Sequence, residues 1–101
     1  MAEIPLYAVL EVDLDPWLMR LDGTVFELFR RDVPDSSSRI HIRHLAVEAK
    51  PRDGGGLRLT IGQEIDGLVM GAKVDVPAQR QAEVMAFFDE SRRRRATYGF
   101  P

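Results

Sequence analysis

Few residue types in this chain could carry out chemistry, and their spacing decides what each could do. His41 and His44 stand three apart, a separation that puts two strand side chains on opposite faces because successive residues alternate. A metal centre would need further ligands. Glu48 is one conceivable contributor, but no pairing has a recognised ligand spacing, so the histidines read as solvated or singly hydrogen-bonded. Ser36, Ser37, Ser38 and Ser91 offer hydroxyls, yet none stands in a strained elbow motif and neither histidine has an acidic partner placed in sequence. Asp13 and Asp15 share a strand face, as acid–base carboxylates could, but that face is the one expected to be wet. Asp53-Gly54-Gly55-Gly56 lacks the Lys-Ser/Thr of a phosphate loop and opens a strand instead of a helix, so it reads as a turn. No cofactor and no enzymatic activity are expected.

Two other features are candidates for binding. Arg92, Arg93, Arg94 and Arg95 form the densest charge run. Cations suit the C-terminal end of a helix, and Asp89 with Arg93 and Glu90 with Arg94 are i,i+4 pairs, so the run reads as a solvated, partly neutralised helix end. The competing reading is a phosphate grip. Trp17 could anchor a partner, but its predicted face with Met19 and Phe26 favours the core.

Short alternating runs position these residues. Leu6, Ala8, Leu10, Val12 and Leu14 alternate with Tyr7, Val9, Glu11, Asp13 and Asp15, the pattern of a half-buried strand. Asp15-Pro16 ends it, since proline lacks the donor that a central strand needs. Asp22-Gly23 is expected as a type I′ hairpin turn. That turn would set Leu21 opposite Thr24, Met19 opposite Phe26 and Trp17 opposite Leu28, so all but Thr24 join one apolar surface, with Arg20 and Glu27 on the other face. Residues 32–38 read as a polar loop around Pro34 and three serines.

Ile40 and Ile42 point inward, but Leu45, Val47 and Ala49 are out of phase with them by one residue. Such a flip implies a bulge or two strands meeting at Arg43-His44, and two strands are expected. A turn at Asp53-Gly54-Gly55 would pair Pro51 with Leu57, Ala49 with Leu59 and Val47 with Ile61. After Asp66-Gly67 the last strand should turn Met70, Ala72, Val74 and Val76 inward and Gly71, Lys73 and Asp75 outward.

A helix over 77–95 comes next, with Pro77 suited to the first helical position. Gln81, Val84, Met85 and Phe88 form its inward stripe, Ala78 lies at the stripe's edge and Phe87 on its flank, either half exposed or seated against a loop. Residues 96–101 read as a loose tail. A run of strands followed by one helix must bury that helix against the sheet or in the mouth of a barrel.

At 101 residues the chain is long enough for one domain with one modest core. Its net charge of -2 argues against a nucleic-acid binder driven by overall positive charge. The lack of cysteine excludes disulfides and thiolate metal sites. Met1 to Pro5 contains Glu3 and no basic segment leading into an apolar stretch, so no secretory signal is expected. No apolar run reaches the roughly 18 residues of a membrane span. A cytoplasmic protein is the expectation.

Seven strands in two antiparallel groups plus a C-terminal helix resemble the pleckstrin homology-like fold. Within it, "R-I-x-I" from Arg39, "L-x-V-E-A-K-P" from Leu45, a glycine turn and "L-R-L-T-I" from Leu57 are similar to the latter part of bacterial members of that superfamily. The resemblance implies a mainly β architecture, an antiparallel barrel or two-sheet sandwich capped by one helix. It also implies a binding scaffold, since members recognise inositol phospholipids, peptides or partner proteins, and bacterial ones are often parts of oligomers. Lipid-binding members carry a basic loop after the first strand. Here that segment is Val12-Asp13-Leu14-Asp15-Pro16, whose carboxylates repel anionic headgroups and argue against phosphoinositide binding.

The expected function is therefore a non-enzymatic interaction or regulatory module that recognises a protein or peptide and can self-associate. The candidate surfaces are the face carrying Tyr7, Val9 and Glu11 and the loop with Asp35 and Ser36. The alternative is a small-ligand or acidic-lipid site built from Arg39, Arg43, Arg92, Arg93, Arg94 and Arg95.

Overall fold

Alternating apolar residues become seven antiparallel strands, and a helix closes the chain, in a computed structural model that describes residues 5–33 and 35–99. Strands β1 (Val9–Leu14), β2 (Trp17–Asp22), β3 (Val25–Arg30) and β4 (Ser37–His41) form one meandering sheet; β5 (Ala46–Pro51), β6 (Leu57–Ile65) and β7 (Leu68–Val76) form a second. A 3₁₀ turn, Ala78–Arg80, leads into helix α1 (Gln81–Thr97).

Of the two expected architectures, barrel or two-sheet sandwich, the barrel is not formed: the two sheets remain separate. The phase flip at Arg43-His44 explains why. There the His44 amide donates to the His41 carbonyl at 2.9 Å and the Leu45 amide to Ile42 at 3.4 Å, so the chain turns out of one ladder before entering the other. The two-strand reading of 39–51 is thereby correct, with Ile42 buried at the corner.

Register is set by the turns. The β5–β6 pairing of Pro51 with Leu57, Ala49 with Leu59 and Val47 with Ile61 is as expected. The first hairpin differs. Asp22 pairs with Val25 and Met19 with Leu28, so Gly23-Thr24 is the loop. Gly23 alone has positive φ (58°) there, the pattern of a type II′ turn, in which glycine takes the first central position. The pairing sum moves by two, which preserves every face, so Met19, Leu21, Phe26 and Leu28 are still buried together. Trp17 packs at the edge of this cluster under the Arg30 guanidinium, 5.3 Å from the ring centroid.

Four boundaries also move. Leu6 and Tyr7 belong to a turn closed by the Ala8 amide on the Pro5 carbonyl at 3.0 Å, and β1 begins at Val9. Ser37 and Ser38 extend β4 because they complete the ladder opposite Phe29 and Leu28, and an edge strand needs backbone groups more than apolar side chains. Pro77 is extended (ψ 150°) and precedes the 3₁₀ turn instead of starting the helix. At the other end Ala96 and Thr97 are helical, while the remainder of the predicted tail past Gly99, like Pro34 and Met1 to Ile4, lies outside the described residues.

Val84 and Phe88 of the predicted stripe are buried, but the buried face is centred elsewhere on the helix. Val84, Phe87, Phe88, Ser91 and Arg94 face inward with Glu90, whereas Gln81 and Ala78 are exposed. Periodicity sets the spacing of the stripe but not its centre, and the Phe26 ring, which meets both Phe87 and Phe88, marks the side that the sheet covers. Two aromatic rings then dominate the burial. Phe87 and Phe88 meet edge-on at 5.2 Å, and both lie about 6 Å from Phe26, at 6.1 and 6.0 Å.

Arg94 corrects the reading of a wholly solvated helix end, because it is 0% exposed. Its Nε donates to Glu90 Oε2 at 3.0 Å, Nη1 to the Gly23 carbonyl at 2.9 Å and Nη2 to the Pro5 carbonyl at 3.4 Å. One side chain thus ties the helix to the β2–β3 turn and to the segment before β1. Arg93 holds the same Glu90 carboxylate, and this bond, with that of Arg94, keeps the Glu90 carboxyl below the usual glutamate range despite burial.

A carboxyl lowered in the folded state stabilises fully above its unfolded value of about 4.3, and loses that contribution as pH falls through the lowered value. The urea midpoint of wild type should therefore exceed that of Glu90→Gln most at about pH 7, and the gap should shrink below about pH 4. A gap unchanged to about pH 3 would remove Glu90 from the acid response.

Candidate functional site

β6 and β7 are nine residues each, longer than the five or six of a typical strand. Their inner face begins as core, with Leu59, Ile61, Val74 and Val76 buried. Beyond Gly62, paired with Gly71, the same face continues through Gln63 opposite Met70 and Ile65 opposite Leu68. A Cβ on either glycine would overlap a facing carbonyl oxygen, Met70 O or Ile61 O. The backbones approach there as only glycine permits. Asp66 and Gly67, with φ of 53° and 81°, close the tip as a type I′ turn.

Nothing in the first sheet reaches far enough to cover this distal half. Ile65, Leu68 and Met70 are 56%, 65% and 54% exposed, which corrects the inward placement of Met70. Between them and β3–β4 lies a groove of about 450 Å³, floored by Phe26, Leu28, Ile40, Ile61 and Ala72 and rimmed by Ser38, Arg39 and Gln63. Phe26 has two roles: its ring meets Phe87 and Phe88 on the helix side and lines the groove on the other. The volume is in the range of ligand pockets, and a mostly apolar floor with few polar groups suits side-chain recognition.

A second cleft lies between α1 and the β4–β5 turn. Ile42, Leu45, Val47 and Phe88 floor a space of about 160 Å³ bordered by Ser91, Arg92 and Arg95. It adjoins one of about 240 Å³ where Arg43, His44 and Glu64 join Leu45 and Arg95.

The predicted site residues are thus distributed over several places. Tyr7 is 79% and Val9 45% exposed, at the outer edge of the first sheet. Glu11 is opposite Arg20, which is opposite Glu27, which is opposite Arg39, a ladder of alternating charge on the outer face. Arg39 meets Glu27 at 3.5 Å and reaches the groove rim, away from the helix arginines. Asp35 (φ 60°) and Ser36 line a shallow hollow with Arg31 and Val33 in the β3–β4 connection. Arg31 there bonds Asp13, keeping that carboxyl below its ordinary range, and its amide donates to the Pro16 carbonyl at 2.8 Å.

Of the arginines, the structure brings Arg43, Arg92 and Arg95 together, commits Arg93 to Glu90 and buries Arg94. His41 Nδ1 accepts the Arg43 amide at 3.1 Å. Among the described residues no group of three His, Asp or Glu side chains is placed to hold a metal.

Sequence reasoning missed Ile65, Leu68 and Met70 as a surface. The available signal was an apolar pair, Ile65 and Leu68, flanking a two-residue turn, where most hairpins carry polar residues. Comparison with known protein families, with curated proteins and with solved structures finds no match for this chain.

Proposed function

We propose that this chain is a non-enzymatic recognition module on a pleckstrin homology-like scaffold, whose groove receives an apolar segment of a protein partner. The order of four strands, three strands and a helix supports the scaffold reading. The observation that carries the function is the exposed continuation of a core face: Ile65, Leu68 and Met70 stand more than half exposed on the strand face that is buried further along the same hairpin. Apolar surface rimmed by polar residues marks interaction sites. Methionine adapts to varied apolar partners, and an arginine at the rim such as Arg39 is a common interface residue.

Panning a displayed peptide library on the folded domain tests this reading. The expected result is enrichment of peptides with spaced apolar anchors, whose amide NMR perturbations map to Ile40, Ile61, Ile65 and Ala72. Met70→Glu should weaken them at least about tenfold, roughly 1.4 kcal/mol. Perturbations confined to other surfaces, or affinity unchanged in Met70→Glu, would overturn the reading.

Self-association is the second reading, carried by Val9 on the outer strand β1 and by Tyr7 in the turn before it. Unpaired edges invite pairing between chains. Light scattering after size exclusion should then report a dimer or ring that Val9→Lys dissolves, and a monomer at all concentrations would refute it.

A further inference from the structure

We infer that the cleft between α1 and the β4–β5 turn is a binding site for a small organic carboxylate carrying a single ring or branched alkyl group. The site is separate from the groove and independent of its reading. Its apolar floor is Ile42 and Phe88, each 1% exposed, with half-buried Leu45 and Val47. At about 160 Å³ the space is comparable to the roughly 150 Å³ apolar cavity that accommodates benzene. It matches the size of one ring or one branched alkyl group.

Charge decides what such a ligand must carry at its other end. Arg95 borders both this space and the adjoining one, where Arg43 and His44 stand. Arg92 closes the near side and is held by Asp89 at 2.6 Å. Glu64 is the carboxylate on the far rim. Three guanidiniums, those of Arg43, Arg92 and Arg95, line the two adjoining spaces against one lining carboxylate, Glu64, a lining that suits an anion. A planar carboxylate matches the fork of a guanidinium in two parallel hydrogen bonds. The ring would rest on Phe88 and Leu45 while the carboxylate meets Arg95 and Arg43.

Titration of the domain with phenylacetate, phenylacetamide and acetate, followed by amide NMR, tests the inference. Phenylacetate should bind with a Kd at or below about 1 mM, shifting Leu45, Val47 and Phe88, and should weaken as salt is raised. Phenylacetamide lacks the charge and acetate lacks the ring, so each should bind at least tenfold more weakly. Arg95→Gln should cost phenylacetate a similar factor, Arg95→Lys less, and amide spectra of the free variants report that both remain folded. Equal binding of the amide, equal binding of acetate, no loss in Arg95→Gln, or shifts confined to the β6–β7 groove would each overturn the assignment.

Discussion

Arg94→Met should lower the unfolding free energy by about 3–5 kcal/mol, the cost of removing one partner from a buried ion pair. Three acceptors lose a donor at once: Glu90 Oε2, the Gly23 carbonyl and the Pro5 carbonyl. Glu90 is 6% exposed and cannot recover the lost bond from water. It does keep Arg93, whose Nη2 lies 2.8 Å away, so the lower part of that range is expected. Arg92→Met is the control, because Arg92 is exposed and pairs with the surface carboxylate of Asp89; it should change stability by no more than about 0.5 kcal/mol. Replacing Glu90 and Arg94 together by methionines should recover much of the loss, since an apolar pair needs no charge compensation. Urea midpoints of the single and double variants decide the matter. If Arg94→Met unfolds like Arg92→Met, the clasp has no energetic role.

Phe88→Ala should destabilise by about 3–5 kcal/mol. The ring is 1% exposed and sits between Phe26 and Phe87, so truncation loses transfer energy and leaves a cavity that two packed sheets cannot close. Phe87→Ala should cost a similar amount, because Phe87 is only 4% exposed. A helix with Phe87 on a half-wet flank, one of the two placements that the periodicity leaves open, would lose much less. Thermal denaturation of the two alanine variants therefore tests which face of α1 the sheets cover. A coupling of about 0.5–1.5 kcal/mol between Phe26 and Phe88 in a double-mutant cycle would separate ring–ring contact from simple burial.

Much of the fold is legible in the sequence because strand patterns are local. The alternation through Val12 and Leu14, the phase flip at Arg43-His44 and the turn at Asp53-Gly54-Gly55 each constrain residues within a few positions of one another. A pairing slip of two at Gly23 does no damage to the core, because a strand face repeats every second residue. The candidate sites are much less legible. Composition groups Arg43 with Arg92 and Arg95 as one basic surface, and the structure does bring these three together. The same grouping takes in Arg39, which lies on the rim of the other groove, and Arg94, which is inside the core.

The chain's own pattern of apolar and turn residues determined how many strands form, where most of them turn, and which side of each is apolar. Only tertiary structure decided which apolar residues would be covered. Met70 and Val74 share a strand face, yet Val74 is buried and Met70 is exposed, because the opposing sheet ends before it reaches the hairpin tip. Arg94 is of a residue type usually found at the surface, yet it is buried because two carbonyls distant in sequence converge on it. Burial depends on what the rest of the fold places opposite a residue, and that long-range information is absent from any short window of sequence.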